Sequence, residues 1–182
     1  MRATSLLPII VLAGCASSGT TAGAPATQTV RVVGPSSTST LSITGRTDPA
    51  GSHELPYSLE QVWRVLPAAL DSVGIPIGLM DPANRIAGNA GFKVRGRLKN
   101  VPLSRYIDCG NSTQIGANAD SYDVNLALLA SVRPLTPTTS SVTVNFEAAG
   151  RPATFAQEYT QCRSTGLLET RLLDALAVRL KP

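Results

Sequence analysis

An α+β fold, an antiparallel sheet with an N-terminal and a C-terminal helix packed on one face, is what the sequence predicts for residues 57–182. Three observations lead there. The segment opens on an apolar stripe at helical spacing and closes on another, and the residues between them alternate apolar and polar with the period of half-buried strands. Two helices laid on one face of a single sheet is the economical way to bury both stripes.

The first helix is marked at both ends. In YSLEQVWRVLPAALDSVG, Ser58 precedes Gln61 by the three residues of a capping box, and Tyr57 can staple onto Val62. Leu59, Val62, Trp63, Leu66, Leu70 and Val73 form its apolar face, and Gly74 ends it. Pro67 removes one backbone hydrogen bond and predicts a kink over residues 63–67. Trp63 reads as core, with ligand stacking as the alternative.

Ile75–Met80 and Arg85–Ala90, separated by the turn signal DPAN, read as a hairpin. The next stretch, GFKVRGRLKNVP, alternates Phe92, Val94 and Leu98 with Lys93, Arg95, Arg97 and Lys99, which predicts one strand with a buried and a basic face. PLSRYID reads as a short helical turn. Tyr122–Val132 is the clearest strand, with Tyr122, Val124, Leu126, Leu128, Ala130 and Val132 on one face. Ser141–Glu147 answers it across the loop RPLTPTTS, with Val142, Val144 and Phe146 inward. The last helix carries Leu168, Leu172, Leu173, Leu176 and Leu180 on its stripe.

In the order of these elements the segment resembles the helix-grip domains of lipoproteins in the outer-membrane barrel-assembly machinery. The likeness spans residues 57–182, rests on no shared motif and implies a fold only.

The chain ahead of the domain differs in composition. Residues 16–56 are dominated by Ser, Thr, Gly, Ala and Pro, with apolar islands at Val30–Val33 and Leu41–Ile43 that alternate like strands and could pair locally. So little apolar surface does not offset ordering entropy, and residues 15–56 read as a tether with a random-coil reach of roughly 35 Å. The first residues, MRATSLLPIIVLAGC, join a charged start at Arg2 to an apolar run and then to small residues, the pattern of a signal peptide too short to span a bilayer. Leu12-Ala13-Gly14-Cys15 closely resembles the lipobox of bacterial lipoproteins. The resemblance implies removal of residues 1–14, diacylglycerol on the Cys15 thiol and acylation of its amine, with each buried methylene adding about 0.8 kcal/mol to anchoring. Residue 16 is Ala rather than the Asp that favours inner-membrane retention in enteric-type bacteria, so the expected place is the outer membrane with the domain facing the periplasm. An ordinary secretory signal with an incidental Cys15 is the alternative.

Chemistry is sparse. Loss of Arg2 would leave 15 basic against 12 acidic residues, too mild an excess to suggest nucleic acid. The remaining cysteines, Cys109 and Cys162, form an even pair in an oxidising compartment, and a disulfide between them is expected. A catalytic thiol would need a base, and the single histidine, His53, falls in the tether. Zinc lacks ligands, and GNAG and GRLKN lack the spacing of a phosphate-cradling loop. Asp120 and Asp123 flank Tyr122 and read as solvated acids, with calcium or acid–base chemistry as the alternative. A Ser–Lys arrangement stays open.

No cofactor, metal site or catalytic residue is thus predicted. The expected function is a membrane-anchored envelope lipoprotein whose non-catalytic domain binds or scaffolds an envelope protein. The alternative is a binder of an anionic polymer or lipid headgroup through Lys93, Arg95, Arg97 and Lys99, whose bland reading is a solvated strand face that discourages edge pairing. An unrecognised hydrolase is a minor third.

Overall fold

The computed structural model describes residues 27–34, 37–44, 51–112, 116–154 and 157–181. Cys15 and the lipobox lie outside these residues. Within the tether, β1 (Thr27–Gly34) and β2 (Ser37–Thr44) contain the two apolar islands and pair antiparallel as a two-stranded sheet of their own.

The main sheet has seven strands. Its first, β3 (Ser52–Leu55), consists of residues that composition assigned to the end of the tether, so the folded part begins upstream of Tyr57. Helix α1 (Leu59–Val73) follows and carries the expected capping box: the Ser58 amide donates to Gln61 Oε1 at 2.9 Å, and the Gln61 amide donates to Ser58 Oγ at 3.4 Å. The helix runs through Pro67 and ends at Gly74, whose φ of 90° is the left-handed conformation of a C-cap.

Strands β4 (Leu79–Asp81) and β5 (Ile86–Arg95) form the hairpin, turned by Asp81, whose carboxylate accepts from the amides of Ala83 and Asn84 and from the Asn84 side chain. These hydrogen bonds favour the ionised form, the Asn84 side chain most, and hold the Asp81 carboxyl below its ordinary pKa. Strand β5 runs from the second arm of the hairpin through Arg95 without a break. Its register against the next long strand shifts once, beside GNAG. There Gly88 (φ 148°) lies so close to its neighbour that a Cβ would sit 2.1 Å from the Leu128 carbonyl oxygen.

After β5 the chain makes the small hairpin β6 (Arg97–Leu98) and β7 (Val101–Pro102), a 3-10 turn at Leu103–Arg105, β8 (Ile107–Asp108), a second small hairpin β9 (Asn111–Ser112) and β10 (Gly116–Ala117), and a 3-10 turn at Asn118–Asp120. Then come the long strands β11 (Tyr122–Pro134) and β12 (Ser140–Pro152), paired antiparallel through Leu128 opposite Phe146. Strand β12 continues past the expected end at Glu147. Strand β13 (Thr160–Ser164), which the sequence reading did not anticipate, precedes helix α2 (Leu167–Leu180).

The sheet order is β4-β5-β11-β12-β13-β8, with β3 also paired to β12. Both helices pack against each other and on one face. Val62, Leu66 and Leu70 of α1, Leu168, Leu172 and Leu176 of α2, and Val124, Leu126, Leu128 and Ala130 of β11 are all 0 % exposed and form one core. The predicted α+β architecture is therefore present, with the helices on one face.

Candidate functional site: the sheet face turned from the helices

Cross-strand register determines what stands on the other face. Asp123 of β11 lies opposite Arg95 of β5 on one side and Arg151 of β12 on the other, and Asn125 likewise lies between Lys93 and Ala149. Directly paired residues project to the same side of a sheet. Because the even-numbered residues of β11 enter the core, these odd-numbered ones project away from it. One end of the face therefore groups Lys93, Arg95 and Arg151 around a single carboxylate.

The geometry within this group is uneven. Arg95 Nε stands 3.8 Å from Asp123 Oδ1, with 67 % of the arginine side chain exposed, so this pair is loose and solvated. The Arg151 guanidinium lies 4.8 Å from the centroid of the Tyr159 ring, a cation–π contact that holds it in place. Lys93 is exposed and has no hydrogen-bond or ion-pair partner among the described residues.

The predicted basic stripe is corrected by this arrangement. The four charges do not share one strand: β5 ends at Arg95, Gly96 turns the backbone with φ 70°, and Arg97 belongs to the separate strand β6. Arg97 Nη1 donates to the Asn100 carbonyl at 3.1 Å, and Lys99 occupies the following turn with φ 46°. Only Lys93 and Arg95 stand with the new member Arg151. Sequence reading missed Arg151 because it ended β12 at Glu147, although the alternation Glu147, Ala149, Arg151 continues the strand period, and missed Tyr159 because it did not anticipate β13, which Tyr159 directly precedes.

The opposite end of the same face holds a surface groove of about 730 Å³ between the hairpin and the long strands. Leu79, Ile86 and Leu129 give it apolar lining, and Arg133, Ser131 and Asn145 give it polar lining. Leu129 is 6 % exposed, the one deeply buried leucine among the outward positions of β11. Arg85, also on the groove, pairs with Glu60 of α1 at 2.7 Å and lies 5.6 Å from the Trp63 ring centroid. Trp63 is half-buried against the core, and an arginine of this chain already lies over its ring.

The remaining candidates separate. Cys109 and Cys162 are joined by a disulfide of sequence separation 53. The bond fastens the residue after β8 to β13, ahead of the last helix rather than at its start. Gly150 lies beside it: a Cβ there would meet Cys162 Sγ at 3.3 Å and Cys109 Sγ at 3.4 Å. While the bond stands, neither sulfur can act as a nucleophile. Asp120 accepts from the Ser104 amide at 2.9 Å and from Ser104 Oγ at 2.7 Å, joining the two 3-10 turns, so it does not converge with Asp123. His53 is exposed on β3 opposite Val142. Among the described residues no group of three His, Cys, Asp or Glu side chains could hold a metal ion, and no helix is long and apolar enough to cross a membrane.

No protein-family model matches the chain, and no curated protein matches it in sequence. Among solved structures it is similar to a conserved protein from Geobacillus kaustophilus, at 15 % identity over 71 % of this chain and 89 % of that one, with a TM-score of 0.34. It is also similar to a DUF4468 family protein from Bacteroides ovatus, at 13 % identity over 72 % of this chain and 85 % of that one, with a TM-score of 0.36. The chain is thus similar in structure to bacterial proteins, at a level that names no family for it.

Proposed function

We propose that this protein is a lipid-anchored bacterial envelope lipoprotein whose domain faces the periplasm and binds or scaffolds another envelope protein without catalysis. The sheet carries the reading: its helices cover one face, and the other borders a groove lined by both apolar and polar side chains. Such a mixture of apolar area and a few placed polar groups suits recognition of a partner. The anchor rests on the lipobox resemblance at residues 12–15, and the Cys109–Cys162 disulfide is compatible with an oxidising compartment.

The anchor and the groove are tested separately. Cys15→Ser abolishes fatty-acid labelling and releases the protein from the membrane; unchanged labelling ends the lipoprotein reading. Crosslinking in the native envelope captures a defined protein with wild type, and Arg133→Glu at the exposed edge of the groove removes that protein from the capture while the thermal melt stays unchanged. If Arg133→Glu leaves the captured set unchanged, the groove is not the docking surface.

A further inference from the structure

We infer that the Lys93, Arg95 and Arg151 end of the helix-free sheet face binds a soluble polymer that carries phosphate or carboxylate groups in series. This inference rests on the binding-module reading and replaces the single basic strand with a site spread over three strands.

Arg95 and Arg151 flank Asp123 from two neighbouring strands, so their backbones stand about 10 Å apart, and Lys93 lies two residues from Arg95 on the same side. Three cations lie around Asp123, with Glu147 further along the same face of β12 opposite Ala127, which leaves a net excess of positive charge. Asp123 relieves part of it for Arg95, at a loose 3.8 Å. Arg151 has no ion pair or hydrogen bond among the described residues; its contact with Tyr159 uses the face of the guanidinium and leaves its N–H donors to a ligand. A guanidinium already held against a ring loses less freedom when it binds. Between the cations the floor is low: Ala149 is small, and the exposed Asn125 can donate through its amide. A chain of anionic groups laid across the strands meets Lys93 or Arg95 at one point and Arg151 at the next.

The surroundings favour a soluble polymer over a membrane surface. Among the described residues the exposed large apolar side chains are Ile77, Met80, Leu135, Tyr159 and Val178. Of these only Tyr159 stands at the patch, where Arg151 lies over its ring, so among the described residues no aliphatic anchor adjoins the cations.

The test uses purified full-length protein in neutral detergent, with polyphosphate and polygalacturonate as probes. At least one probe binds wild type, and affinity falls on the order of tenfold between 50 and 200 mM salt as counterions are released. Lys93→Gln and Arg151→Gln each weaken binding about five- to tenfold, and the double variant weakens it further. Asp123→Asn tightens it, because a competing carboxylate is gone. Arg97→Gln with Lys99→Gln, which removes equal charge elsewhere, changes affinity by less than about twofold. Circular dichroism on each variant confirms folding. Binding of neither probe, or equal losses from the two charge pairs, overturns the site. Displacement of the polymer by phosphatidylglycerol doped into the micelles at matched phosphate overturns the choice of a soluble polymer. The Cys15→Ser labelling experiment is independent, so failure of this site and failure of the anchor are distinguishable.

Discussion

The two faces of strand β11 present the same backbone to different surroundings. On one face Val124, Leu126, Leu128 and Ala130 are fully buried against α1 and α2; on the other, Asn125 and Arg133 are exposed and Asp123, Ala127 and Ser131 are half-buried. The covered face is constrained by volume, because close packing makes each methylene felt. The other face is constrained only by solubility and by whatever it binds, so charge and hydrogen-bonding groups accumulate there. Leu129 breaks this division, and it lines the groove.

The largest effect should come from emptying the covered face. Leu126→Ala lowers unfolding free energy by about 2–5 kcal/mol, while Asn125→Ala, the adjacent residue on the other face, stays within about 0.5 kcal/mol. Urea denaturation of both variants measures the contrast; equal losses would mean that the second face is also part of a core.

The disulfide comes next, since it ties the covered core to the edge of the sheet beside Gly150. Replacing Cys109 and Cys162 together by Ser lowers stability by about 2–4 kcal/mol, near the chain-entropy value of about 4 kcal/mol for a loop of this length. Wild type melted with and without reductant provides the same comparison without mutation.

The smallest effect belongs to Asp81, in the exposed turn of the hairpin. Its pKa is lower folded than unfolded, so its contribution is present above the ordinary value of 3.8 and disappears as pH falls through the folded pKa. Asp81→Asn therefore reduces the loss of stability on acidification below about pH 4, relative to wild type. Thermal melts over that range detect it; parallel curves would mean that the turn's hydrogen bonds form equally in the unfolded chain.

Local patterns were legible where a single element determines its own burial. Ser58 and Gln61 mark the start of α1, Gly74 its end, and Leu168, Leu172 and Leu176 the buried side of α2. Strand β13 escaped notice because Thr160–Ser164 is short and has one buried residue, Cys162, so no alternation shows. Strand β3 escaped because Ser52–Leu55 sits in a polar composition and gains its structure by pairing with β12. Asp120 and Asp123 read as solvated acids from their place at a strand entrance; folding instead engaged Asp120 with Ser104, a residue sixteen positions away that local sequence does not indicate.

By itself the sequence determined which side of the long strands enters the core, where helix α1 begins and ends and which stripe of α2 is buried, because side-chain alternation and capping are set within a few residues of chain. It also determined that Cys109 and Cys162 were the cysteines left to pair within the domain, though not where the bond would fasten it. The tertiary structure alone decided the composition of the charged site. Gly96 turned the backbone and carried Arg97 and Lys99 away from Lys93 and Arg95, and the register of β12 against β11 brought Arg151 beside Asp123. A period of two says which face a residue takes but not where a strand stops or which distant strand lies next to it. Those follow from backbone pairing between segments remote in the chain, and there the site was assembled.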